Sequence, residues 1–214
     1  MNYSSSTKSA WISLLWLAAV PLLNIFYGVL NRLKDHVYSF AISLDQMLPF
    51  VPFFIIFYAL WYPFVTAALI ALAFKNRNVY FQTLIGLCGG LVISYICFAL
   101  FQSTIERPNI ANEKGLLYWM VDFIYSTDRP YNCFPSIHVL SSYLILRGTS
   151  VFGSMKWAIA SMISTLIIVS TLLVKQHVLV DVAGGILVGE VCFRLAGVVL
   201  HLSSSRGQNK PKPI

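Results

Sequence analysis

The chain reads as an all-α integral membrane protein, a single-domain bundle of about six transmembrane helices. Three observations predict this. Of 214 residues, 57% are hydrophobic and 11% are charged, whereas a soluble domain carries roughly 25% charged residues. The mean hydropathy is +0.73, more apolar surface than a soluble chain of this length can hide. The apolar residues also fall in long runs separated by polar connectors.

The first run, residues 10–30, is longer than a signal-peptide core and lacks a small-x-small cleavage site, so it is kept as a span. The second, 47–74, can cross with tilt. The third, 81–101, carries Gly86, Gly89 and Gly90, which permit close helix approach. A shorter fourth run covers 136–152, the fifth 157–174 and the sixth 178–202. There are no tandem repeats. Residues 203–214 form a polar tail whose composition predicts disorder. Residues 31–46 suit an interfacial segment with Val37, Phe40, Ala41 and Leu44 on one helical face. The longest polar stretch is 102–134; within it, 115–125 suits a short amphipathic helix with Leu116, Trp119 and Phe123 toward the membrane.

Charge placement predicts the topology. Lys8, Lys75, Arg77, Lys156, Arg206, Lys210 and Lys212 fall at the N-terminus, the even-numbered connectors and the tail, with no acidic residue among them. The other side holds Arg32, Lys34, Arg107, Lys114, Arg129 and Lys175, together with Asp35, Asp45, Glu106, Glu113, Asp122, Asp128 and Asp181. The positive-inside tendency then places both ends in the cytoplasm and connectors one, three and five outside. The net charge of +7 is read as this membrane asymmetry. No aromatic–basic stripe points to nucleic acid. Cys88, Cys97 and Cys192 lie in apolar runs as small hydrophobes, and Cys133 stands alone in a polar loop. Without a CxxC pair, neither a zinc framework nor disulfides are expected.

Three polar clusters border spans on the outer side, where polar groups are costly and usually functional. His177 and Asp181 are spaced i, i+4, which suits a carboxylate fixing an imidazole tautomer so that the other nitrogen acts as nucleophile or base. The same spacing also suits a simple helix-start pair with Asp181 in the first turn. Pro135-Ser136 before an apolar run marks a helix start with Ser136 as cap. His138 then lies beside unpaired backbone N–H groups that favour an anion; there it can bind phosphate, protonate a leaving group, or serve only as an interfacial histidine. Arg107 and Arg129 are loop arginines able to fork onto phosphate, and Pro108 stiffens the first. Lys175 suits phosphate binding or snorkelling. Glu190 and Arg194, also i, i+4, neutralise each other inside the sixth run. Arg147, His36 and His201 have no partner legible in the sequence.

Taken together, Glu106-Arg107-Pro108, Pro135-Ser136-Ile137-His138 and Ser170-Thr171-x5-His177-x3-Asp181 resemble the ordered motifs of the type 2 phosphatidic acid phosphatase superfamily. That family reads Lys-x6-Arg-Pro, Pro-Ser-Gly-His and Ser-Arg-x5-His-x3-Asp. Leu100 stands at the family lysine, Ile137 at the glycine and Thr171 at the second arginine, and Lys175 is the nearest replacement charge. A divergent branch, resembling inositol phosphorylceramide synthases, also carries Lys-x-His and a stretch like Leu44-Asp45 to Trp61-Tyr62-Pro63. The resemblance implies metal-independent phosphoryl transfer with no cofactor. His177 would form a phosphohistidine, Asp181 orient it, and His138 protonate the departing alcohol or phosphate. Arg107, Ser136 and Lys175 would hold the phosphate oxygens. The implied substrate is a lipid phosphate such as undecaprenyl diphosphate, phosphatidate or phosphatidylglycerophosphate, attacked at the extracytoplasmic face. Transfer of a phosphoryl or head group to an alcohol, and lipid binding or transport without turnover, are the rival functions. A metal held by His177, Asp181 and His138 is a further one.

Overall fold

The computed structural model describes residues 10–32 and 36–208. Lys8, Lys34, Asp35, Lys210 and Lys212, on which part of the topology argument rests, lie outside the described residues, as do 209–214 of the expected tail. The chain runs α1 (Ala10–Leu30), β1 (Val37–Ser39), α2 (Ser43–Met47), α3 (Pro52–Lys75) and α4 (Arg77–Leu100). It continues with β2 (Gln102–Thr104), α5 (Leu116–Thr127), α6 (Ile137–Gly148), α7 (Ser154–Leu173) and α8 (Leu179–Gln208).

Helices α1, α3, α4, α7 and the Leu179–Ser203 part of α8 are long and apolar enough to cross a membrane. Their outward faces are apolar, with Trp16, Ile25, Ile96, Met162 and Leu195 all exposed, as expected where lipid replaces water as the solvent. The fourth expected run behaves differently. α6 has 12 residues, about 18 Å at 1.5 Å per residue, against a hydrocarbon thickness of about 30 Å. It ends at Gly148 and passes into a 3-10 turn, Thr149–Phe152. α6 is instead the buried centre of the bundle, packed against α3, α4, α7 and α8, with Val139, Leu140, Ser142 and Leu144 fully enclosed.

Small residues set how closely α6 is held. A Cβ at Gly90 of α4 would lie 2.6 Å from Leu140 Cδ1, and one at Gly185 of α8 would lie 2.7 Å from the Ser136 carbonyl oxygen. Such close approach is how helices gain van der Waals contact where lipid competes for every apolar surface. The Gly185 contact brings the start of α6 onto the first turns of α8, so the second and third polar clusters meet.

Two expectations for the connectors are corrected. Residues 31–46 do not form one amphipathic helix. Val37–Ser39 pairs in parallel with Gln102–Thr104, in register Val37↔Gln102, Tyr38↔Ser103 and Ser39↔Thr104, and only Ser43–Met47 is helical. The backbone just beyond α4 has polar groups to satisfy, and the β-prone Val37-Tyr38 pair supplies them from across the bundle. At the other end, α8 continues to Gln208, past Ser203, where the tail was expected to begin. The expected short helix within 102–134 is present as α5, with Leu116, Trp119 and Phe123 exposed on one side.

Candidate active site

The second and third clusters converge at one end of the bundle. Ser136 caps α6 by accepting the Val139 N–H, and its own N–H donates to the Asp181 carbonyl at 3.2 Å. His138 therefore sits in the first turn of α6, facing the loop that carries His177. The two imidazole rings lie 5.7 Å apart between centroids, and both residues are buried.

His177 Nδ1 faces Asp181 Oδ2 at 3.3 Å. The same carboxylate oxygen accepts the Val178 N–H at 3.0 Å, so Asp181 both caps α8 and orients the imidazole. Nε2 of His177 is then the nitrogen left for chemistry. The loop ahead of it is anchored by Thr171, whose carbonyl accepts the N–H groups of Gln176 and His177. Thr171, which the resemblance aligns with an arginine, is fully buried and serves as a backbone anchor. Leu100, which the resemblance aligns with a lysine, is 76% exposed and brings no cation to the site. Lys175 adopts a left-handed backbone, φ 53°, a conformation that costs energy in a non-glycine residue and is found at functional turns.

His138 is packed between aromatic rings, with Trp61 at 4.1 Å and Tyr58 at 4.6 Å between centroids. Trp61 Nε1 donates to Ser141 Oγ at 2.6 Å, fixing the indole against the imidazole. Tyr58 donates to Asp128 Oδ2 at 2.8 Å, and Tyr27 donates to Asp128 Oδ1. Asp128 thus ties α1 and α3 to the site.

Arg107 is spoken for on its outer edge. Its guanidinium donates to the carbonyls of Tyr125 at 3.1 Å and Asp128 at 2.7 Å and to Gln176 Oε1, and stacks over the Tyr125 ring at 4.3 Å. Lys175 Nζ donates to the carbonyls of Leu48 at 2.7 Å and Asp45 at 3.1 Å. Asp45 accepts the N–H groups of Leu179 and Ile42, both at 2.8 Å. Connector one therefore clamps the start of α8.

Two chambers meet at the histidines. A polar one of about 540 Å³ is lined by Arg107, Lys175, His177, Glu106, Asp45 and Ser39 among others. On the His138 side, two cavities of about 310 and 260 Å³ share Asn24, Trp61, Tyr62 and Ile137 and form one apolar groove between α1 and α3. Between the chambers is a small cavity of about 10 Å³ that touches both histidines, Gln176, Arg129 and Cys133. Several buried atoms at this end of the bundle have no protein hydrogen-bond partner: His138 Nδ1, Asp181 Oδ1, Gln176 Nε2, Asn132 Nδ2 and Arg107 Nε.

The structure thus brings His138, His177, Asp181 and Ser136 together and places Arg107 and Lys175 beside His177. Sequence reasoning gave no site role to Asp45, Asp128 and Gln176, which act as structural carboxylates and an amide, nor to Cys133. That thiol is buried, not alone in a loop; a sulfur, nitrogen and oxygen from Cys133, His177 and Asp181 lie within 4.8 Å of one another. Burial, with Asp181 and Asp128 nearby, pushes the thiol well above its ordinary pKa range. The signal that could have found Cys133 is its place two residues before the Pro135-Ser136 start of α6. Arg147, unexplained in the sequence, joins the Glu190–Arg194 pair at the far end of α6: Glu190 accepts from Arg147 at 2.8 and 3.0 Å, from Arg194 at 2.6 Å and from Tyr143 at 2.8 Å. Comparison with protein-family models, with curated proteins and with solved structures gives no match for the chain.

Proposed function

We propose that the chain is a metal-independent lipid phosphatase of the type 2 phosphatidic acid phosphatase kind, a six-helix bundle in which α6 is the short buried member. The observation that carries this is the pair of buried histidines between a polar chamber and an apolar groove, one of them held by Asp181. A phosphate seated by Arg107 and Lys175 and an alkyl chain laid between α1 and α3 would meet at the two rings. His177 Nε2 attacks phosphorus as the bond to the lipid oxygen breaks, and His138, which takes up a proton when the phosphate anion binds beside it, gives that proton to the oxygen. Water then gives a proton back to His138 and attacks the phosphohistidine, breaking the N–P bond and releasing phosphate. Asp181 stabilises the imidazolium character that develops on His177. Undecaprenyl diphosphate, phosphatidate and phosphatidylglycerophosphate all have the required phosphate and chain.

One observation favours a second reading. Glu106 lines the polar chamber beside Arg107; a carboxylate there suits a hydroxyl-bearing acceptor better than a second anion, and supports transfer to an alcohol. A panel of lipid phosphates, assayed for phosphate release and for new phospholipid with and without alcohols, separates the two.

The test of mechanism is the leaving group. His138→Ala is expected to slow natural lipid phosphates by about 10²–10⁴-fold and to leave activated aryl phosphates nearly unaffected, because these depart without a proton. Equal loss on both removes His138 as the acid. The sidedness follows from the charge asymmetry. A single cysteine at Lys114, exposed in the 102–134 connector, in a cysteine-free background should react with an impermeant thiol reagent in intact cells; reaction only after permeabilisation reverses the orientation.

A further inference from the structure

Cys133 is held, not loose. Ser103 Oγ of β2 accepts the N–H groups of Cys133 at 3.1 Å and Phe134 at 2.8 Å, which fixes the thiol in the floor of the site. Asp181 is fully buried, and while its Oδ2 serves His177 and Val178, its Oδ1 has no protein partner. The small cavity between the chambers, about 10 Å³, touches Cys133 and His177 and has room for a single water-sized sphere. One sulfur, one nitrogen and one oxygen, all buried and within 4.8 Å of one another, approach the spacing of a tetrahedral zinc shell, where bonds of about 2.0–2.3 Å put ligands about 3.3–3.8 Å apart. Magnesium and calcium call for more oxygens than this set offers; thiolate and imidazole select zinc and its borderline-soft relatives.

We propose that Cys133, His177 and Asp181 form an inhibitory site for a thiolate-binding divalent cation, with Zn²⁺ the natural occupant. On binding, the Cys133 thiol loses its proton to solvent and a metal–sulfur bond forms, while His177 and Asp181 each give a lone pair to the ion. Either ring nitrogen it takes disables the pair, since Nε2 is the attacking atom and Nδ1 is the one Asp181 holds. The inhibitory half rests on the phosphatase reading; the binding half does not.

Co²⁺ added to the purified full chain in detergent reads the site directly, through a thiolate-to-cobalt charge-transfer band that Zn²⁺ abolishes by displacement. Cys133→Ala should lose the band, keep turnover measured in excess chelator, and resist Zn²⁺ by about tenfold or more, the size of effect that even outer-shell changes produce. No band in the wild-type chain, or equal zinc inhibition of both chains, overturns the proposal. Turnover that vanishes in chelator overturns it too, because the ion is then a cofactor. A band with no turnover on any lipid phosphate leaves the metal site standing and removes the phosphatase reading instead.

Discussion

Helices α6 and α8 carry two polar clusters, and they differ in how completely they are satisfied. At the far end, Glu190 accepts from Arg147, Arg194 and Tyr143. Among the described residues, no buried side-chain atom of that cluster lacks a partner. At the near end, around His138, His177 and Asp181, five buried atoms have none within the protein. The first is a partly exposed cluster in which one carboxylate serves two arginines and a tyrosine hydroxyl, as polar groups on membrane helices find partners. The second retains unmet hydrogen-bonding capacity, which costs about 1–3 kcal/mol per buried group and calls for a partner outside the protein, such as a water, an ion or a ligand. The two clusters on the same pair of helices therefore differ both in burial and in how far their polar atoms are satisfied within the protein.

The sharpest way to break this contrast is to remove the centre of each cluster. His177→Ala should abolish turnover, by about 10⁴-fold or more, and also the acid-labile phosphoenzyme, in a chain that still folds in detergent. Phosphate still trapped on the His177→Ala chain assigns the nucleophile elsewhere. A smaller effect is expected at Asp181. Asp181→Asn keeps a side chain of the same shape but withdraws the anion behind His177, and should cut kcat by about 10²–10⁴-fold while KM stays near its original value. A change confined to KM would make Asp181 a helix cap and nothing more.

Lys175→Ala comes next. Nζ reaches two carbonyls of connector one and also borders the polar chamber, so the substitution tests which of these matters. If the ammonium holds phosphate, KM rises and vanadate inhibition weakens by roughly 10–100-fold, the loss of one charged donor of about 1.5–3 kcal/mol. Unchanged KM with lowered stability assigns Lys175 to the clamp on α8. The smallest effect belongs to the far cluster. Arg147 and Arg194 are 38% and 74% exposed, so solvent and headgroups screen them, and Glu190→Gln should cost no more than about 1 kcal/mol. Turnover should be within a few-fold of the parent; a large loss of kcat there would erase the distinction between the two ends.

The sequence carried the apolar runs because lipid-facing helices need unbroken stretches of about 20 residues whatever their neighbours are. It also carried the local spacings: Ser136 as the cap of α6, His177 and Asp181 one turn apart, and the amphipathic face of α5. Each depends only on the period of a single helix. What the fold alone decided are contacts between segments remote in the chain. Val37–Ser39 became a strand because Gln102–Thr104 offered it backbone partners. Asp45 reached Leu179 across 134 positions, and Lys175 reached Leu48 across 127. Arg147 found Glu190 because α6 and α8 are pressed together through glycines. Cys133, unremarkable in its loop, came to lie beside His177 and Asp181 because Ser103 holds its backbone there. No periodicity encodes such pairings, since they follow from which helix faces can approach closely enough to exclude lipid.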